Sequence, residues 1–111
     1  MGLDSSICCA ISNHNDCGKY ISNSAKECEK AGCFSVVLEM MDPTISQKIT
    51  NTLAIPTIGI GSGPDCDGQV LVTQDLLGLT YDKVPKFVKQ YENLNQTIEN
   101  AVKLFIENKK I

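Results

Sequence analysis

From position 34 the chain reads Phe34-Ser35-Val36-Val37-Leu38-Glu39, an apolar, β-branched run too continuous for a half-exposed strand and suited to a buried parallel one. It ends in a carboxylate. Asp42 followed by Pro43 places a capping side chain just before a residue pre-set for the first helical position. Ile45, Ile49 and Leu53 then recur every fourth residue, so residues 43–53 are predicted helical. A second buried strand is expected at Thr57–Ile60, and the order strand, helix, strand forms a βαβ unit whose crossover sets the two strands side by side and parallel.

The turn Gly61-Ser62-Gly63-Pro64-Asp65-Cys66-Asp67-Gly68 leads into a third short strand expected at Gln69–Val72. Residues 85–91 are expected to be helical. A last helix is expected from about Asn95, with Ile98, Ala101, Val102, Phe105 and Ile106 on one apolar face. Upstream, a helix is predicted from a cap at Ser22–Ser24 through Ala25, Cys28 and Ala31, with Gly32 in the left-handed stop position that favours glycine. In residues 1–21, Ser5, Ser6, Ser12, Asn13, Asn15, Asp16 and Gly18 interrupt any apolar period, and an irregular segment is expected. The chain is thus divided into an irregular stretch, 1–21, and an α/β body, 22–111, with three parallel strands. Such a sheet has open edges and uncovered apolar surface and looks incomplete, so the chain is expected to fold poorly alone.

Composition narrows the function classes. Thirteen acidic residues face ten basic ones, all lysine and scattered, for a net charge of −3, which argues against nucleic acid as the main partner. No apolar run approaches the roughly 20 residues of a membrane helix. The N-terminus lacks the basic start and apolar middle of a signal peptide, so a cytoplasmic location is expected. The six cysteines sit in a chain of ordinary apolar content, 42%, and reduced thiols are expected, with Cys28, Cys33 and Cys66 in or beside buried segments. Cys8, Cys9, His14 and Cys17 bring four metal-binding side chains into ten positions, but without a Cys-x-x-Cys bite they match no zinc knuckle, and no metal is expected there.

Glu39, at the C-terminal end of a parallel strand, stands where α/β folds place ligands and catalytic groups. The alternative is a solvated glutamate at a strand exit. Asp42 is read as a helix cap. Gly59-Ile60-Gly61-Ser62-Gly63 offers backbone amides to an anion but lacks the Lys-Ser/Thr end of a phosphate loop and opens no long helix; it reads first as a tight strand exit. His14 is read as a solvated loop residue. Asp65, Asp67 and Asp75 lack the regular alternation of a cation-binding loop.

Taken together, Val36-Val37-Leu38-Glu39, Ile55 to Gly63, Asp67-Gly68-Gln69-Val70-Leu71-Val72, Asp75-Leu76-Leu77-Gly78 and Pro85-Lys86-Phe87-Val88 closely resemble the ketopantoate hydroxymethyltransferase family over residues 22–106. Met1-Gly2-Leu3 is similar to the start of the family's Gly-Leu-Thr-Pro-Gln segment, which Asp4-Ser5-Ser6 then leaves. The resemblance implies the C-terminal part of a TIM (β/α)8 barrel, an architecture that needs about 250 residues when complete. It implies transfer of a hydroxymethyl group from methylene-tetrahydrofolate to 3-methyl-2-oxobutanoate, with magnesium, in pantothenate synthesis.

By the same resemblance Glu39 matches the catalytic base that removes a proton beside the ketone. The family's magnesium carboxylates, its Asp-Ser pair and its keto-acid lysine precede the matching segment. The isolated chain is therefore expected to bind neither cofactor and to be inactive, its partner being a missing N-terminal half or a second copy. The alternative is a non-catalytic binding or assembly module that pairs with another chain. Ser62 and Gln74 depart from the alanine and histidine usual at those places.

Overall fold

The computed structural model describes residues 8–12 and 18–108, with side chains from Ile21 onward in the second stretch. Two units divide at Val70 and Leu71.

The first unit contains β1 (Cys8–Ser12), α1 (Gly18–Lys30), β2 (Ser35–Glu39), α2 (Pro43–Thr52), β3 (Thr57–Ile60) and β4 (Gly68–Gln69). The strands lie in the order β1-β2-β3-β4 and every neighbouring pair is parallel. Val36 pairs with Cys9 and Thr57, and Leu38 with Ile11 and Gly59, so these residues share one face of the sheet. On that face Val36 and Leu38 join Ile21, Ala25, Met41 and Ile49 in a buried core, with Cys9, Ile11, Cys28, Ile45 and Leu53 packed against it. The other face carries the rows Ala10, Val37, Ile58 and Ser12, Glu39, Ile60, all half-buried or exposed.

Local chemistry explains the elements. Asp42 accepts a hydrogen bond from the Thr44 amide (2.9 Å) and Pro43 opens α2, as the Asp-Pro signal predicts. α1 ends before Gly32, whose φ of 95° is the left-handed conformation that glycine adopts without steric cost. The Glu29 carboxylate reaches from α1 to the amides of Ala54 (2.6 Å) and Ile55 (3.2 Å), fixing the chain between α2 and β3. Asp67 accepts from the Thr57 amide (2.9 Å) and hydroxyl (3.3 Å), which holds the turn before β4 to the start of β3.

Several expectations are corrected. Residues 8–12, expected to be irregular, form β1 and cover the outer edge of β2; the strand is specified by its pairing, which supplies the backbone partners that its weak apolar pattern does not announce. Residues 1–7 and 13–17 lie outside the described residues. α1 begins at Gly18 rather than at Ser22, because Ile21, Ala25 and Cys28 occupy one helical face and Ile21 is buried. The third strand is shorter than expected: β4 ends at Gln69, while Val70 and Val72 are exposed, although the Val70 amide still donates to the Gly59 carbonyl (3.0 Å).

The second unit contains α3 (Thr73–Leu77) and α4 (Leu94–Asn108). Gly78, at φ 70°, ends α3 in the left-handed conformation. Residues 85–91, expected to be helical, make a single turn closed by the Val88 amide on the Pro85 carbonyl (3.1 Å). Phe87 and Tyr91 are exposed and Val88 is only half-buried, so no buried face repays the ordering of a helix. α4 follows the expected period, but its apolar residues Ile98, Val102, Phe105 and Ile106 are all exposed. No described helix is long and apolar enough to cross a membrane.

Candidate active site

β2 delivers Glu39 to the C-terminal rim of the sheet, between Ser12 of β1 and Ile60 of β3. Alternation along β2 is decisive. Val36 and Leu38 point into the core under the helices, so Glu39 and Val37 project from the opposite face, and the Glu39 side chain is exposed.

The chain turns sharply just beyond this carboxylate. Met40 adopts φ 53°, the only positive value at a non-glycine position among the described residues. Strain of this kind costs on the order of 1–3 kcal/mol and persists only where surrounding contacts impose it. Here the contacts are specific. The Met40 amide donates to the Ile60 carbonyl at 2.8 Å. The buried Ser62 hydroxyl accepts from the Met41 amide at 3.1 Å and donates to the Leu38 carbonyl at 2.6 Å. One hydroxyl therefore bridges the residues on either side of Glu39-Met40.

The glycines beside Ser62 make this approach possible. Gly61 and Gly63 have φ of 66° and 83°, and a Cβ on Gly63 would stand 2.7 Å from the Pro43 Cβ. Within β3, a Cβ on Gly59 would stand 2.9 Å from the Cys66 sulfur. The glycine-rich stretch thus acts as the tight strand exit read from the sequence, and it seats Ser62 under the Glu39 turn. Sequence reasoning singled out Glu39 and read Ser62 only as a departure from the family's usual alanine; the available signal for its role was a small hydroxyl residue between two glycines at a strand end.

The other candidates fall elsewhere. Asp42 caps α2, Asp67 ties β4 to β3, and Asp75 accepts from the Thr80 hydroxyl at 2.7 Å. His14 and Cys17 lie outside the described residues, so the four-donor set with Cys8 and Cys9 is not defined. Cys8 turns away from Cys9 and meets the Ser35 hydroxyl at 2.9 Å. The expectation of fully reduced cysteines is corrected: Cys9 joins Cys33 in a disulfide, β1 and the entry to β2 bringing their Cα atoms to 6.3 Å.

Residues 10–110 match the family model described as ketopantoate hydroxymethyltransferase. The chain belongs to this family. Among curated relatives named 3-methyl-2-oxobutanoate hydroxymethyltransferase, the protein from Syntrophus aciditrophicus is 56% identical over 90 residues, which are 81% of this chain and 33% of the relative. That from Thermotoga neapolitana is 53% identical over 78% of this chain and 32% of its own length. That from Clostridioides difficile is 48% identical over 85% and 34% respectively. The chain spans about a third of the length of these ketopantoate hydroxymethyltransferases.

Magnesium, which the family resemblance implies, takes hard oxygen ligands in octahedral geometry. Among the described residues the one group of three close donor side chains is Cys9, Cys28 and Cys33, all sulfur. That sulfur cluster does not fit magnesium.

Proposed function

We propose that this chain forms the C-terminal part of a (β/α)8 barrel that transfers a hydroxymethyl group to 3-methyl-2-oxobutanoate, and that Glu39 is its general base. The observation that carries the reading is the disposition of Glu39 on the sheet. Helices α1 and α2 cover one face, and Glu39 projects from the other, at the C-terminal ends of parallel strands. In a barrel the helix-free face is the interior and the C-terminal rim holds the active site. The half-buried Val37, Ile58 and Ile60 on that face are the kind of residue that fills a barrel interior.

In this reading the Glu39 carboxylate accepts the proton on the carbon beside the keto group. The electron pair moves into an enolate, and that carbon becomes the nucleophile that takes up the hydroxymethyl unit. Ser62 and the Met40 turn fix the backbone from which the carboxylate reaches, so its position does not depend on a mobile loop. The remaining strands of the barrel, from a preceding segment or a separate chain, cover the exposed apolar positions and supply the other substrate groups. Unassisted, the chain is inactive, because stabilising the enolate oxygen requires groups that it does not bring.

The test is an assay of ketopantoate formation and of solvent deuterium exchange into 3-methyl-2-oxobutanoate. It uses this chain alone, then mixed with the N-terminal portion of an intact relative, then with Glu39→Gln in that mixture. Activity only in the mixture, with exchange falling about 10²–10⁴-fold in the variant, is expected. Activity of the chain alone, or unchanged exchange in the variant, refutes the proposal.

A further inference from the structure

We propose that Cys9, Cys28 and Cys33, once the Cys9–Cys33 disulfide is reduced, form a three-thiolate site for a thiophilic closed-shell metal ion, Zn²⁺ or Cu⁺. Their sulfurs lie within 4.8 Å of one another, although the residues come from β1, α1 and the segment entering β2. A tetrahedral zinc thiolate with bonds of about 2.3 Å sets its sulfurs about 3.8 Å apart. Trigonal Cu⁺ needs a similar spread, so once the bond is reduced the Cys9 and Cys33 sulfurs must part from bonding distance to that spacing, with Cys28 already within reach. Soft sulfur donors select these ions over magnesium or calcium.

The surroundings enclose the three sulfurs on one side. Cys33 is buried, and Cys9 and Cys28 are half-buried against the core. This encloses the site on the protein side and leaves a solvent side for a fourth ligand. The remaining described cysteines are set apart: Cys8 contacts Ser35, and Cys66 packs beside Gly59.

The chemistry balances in two steps. An external dithiol donates two electrons and two protons to the Cys9–Cys33 bond, giving two protein thiols while the dithiol closes to its own disulfide. The ion then displaces the protons of the three thiols. The bound ion clips β1 to α1 and β2, the part of the sheet with the weakest sequence signal.

The experiment uses the full chain reduced with a phosphine and titrated with Co²⁺ as a coloured substitute for Zn²⁺, then with Cu⁺ against a chromogenic chelator. One equivalent of Co²⁺ with a thiolate-to-metal charge-transfer band, displaced by Zn²⁺, supports the site with zinc as occupant; stoichiometric binding of Cu⁺ alone supports it with copper. Because loss of even a supporting group typically weakens a metal site about 10–100-fold, Cys28→Ser and Cys33→Ser should each weaken binding by at least about tenfold. Cys66→Ser should not. A readout in the unmodified chain guards against misfolded variants: the bound ion should slow alkylation of Cys9, Cys28 and Cys33, with no change at Cys8 or Cys66. Equal alkylation of these five described cysteines with and without either ion, or full binding by Cys28→Ser, overturns the proposal.

Discussion

Replacing Ser62 by alanine removes one oxygen from beneath the Glu39 turn and leaves the rest of the side chain in place. The cost follows from its two shorter bonds, the longer contact with the Ile60 carbonyl at 3.4 Å adding little. The Met41 amide, in a residue 3% exposed, loses the hydroxyl that it meets at 3.1 Å, and an unsatisfied buried donor costs about 1–3 kcal/mol. The Leu38 carbonyl loses a 2.6 Å donor, a smaller penalty because a carbonyl has two lone pairs. Removing the hydroxyl also removes its own burial cost, so the net is about 2 kcal/mol. Since 1.4 kcal/mol is a factor of ten, that is a roughly 30-fold rise in opening of the turn. Amide hydrogen exchange at Met41 should accelerate by about that factor, and the urea midpoint should fall by the equivalent of about 2 kcal/mol at unchanged m-value. Thr52→Ala is the control: its hydroxyl donates to the Lys48 carbonyl at 2.7 Å, but the residue is exposed, and its loss should stay within about 0.5 kcal/mol. Less than a threefold change in Met41 exchange with an unmoved midpoint would refute the idea that Ser62 holds the turn.

Gly63→Ala combines a φ of 83° with a Cβ 2.7 Å from that of Pro43, and thermal unfolding should show a loss of at least about 1–2 kcal/mol. Asp67→Ala strips the Thr57 amide of its acceptor, while the Thr57 hydroxyl keeps the Thr50 oxygen at 2.8 Å, and should lower the urea midpoint by about 1–3 kcal/mol, with the largest exchange increase at Thr57. The raised Cys28 thiol should alkylate more slowly than cysteine in a short peptide at mildly alkaline pH. Its neutral form is the one that the fold favours, so its contribution to stability is complete below the unfolded-state pKa and is lost as pH rises through the folded-state one; a Cys28→Ser variant should lack that alkaline decline. The exposed face of α4 should bind a hydrophobic dye, and replacing Val102, Phe105 and Ile106 with lysine should remove most of the fluorescence.

The sequence alone determined what short-range chemistry specifies. Asp42-Pro43 read as the cap and opening of a helix, the apolar runs at 34–39 and 57–60 read as strands, realised as Ser35–Glu39 and Thr57–Ile60 with Phe34 left exposed, and the crossover between them implied parallel pairing. The period of Ile98, Val102 and Phe105 likewise defined α4. Glu39 was legible as a candidate because a carboxylate at the end of a parallel strand needs no distant residue to be placed. The tertiary structure decided everything that depends on partners far along the chain. Cys8–Ser12 is a strand because β2 offers it a free edge, and no local pattern records that offer. Residues 85–91 stay unwound because no buried face repays a helix there. Ser62 reads as one more turn residue until the fold brings its hydroxyl between Leu38 and Met41, more than twenty positions away. The three clustered cysteines are scattered in sequence, and only the packing of α1 against β1 and β2 gathers their sulfurs at one point.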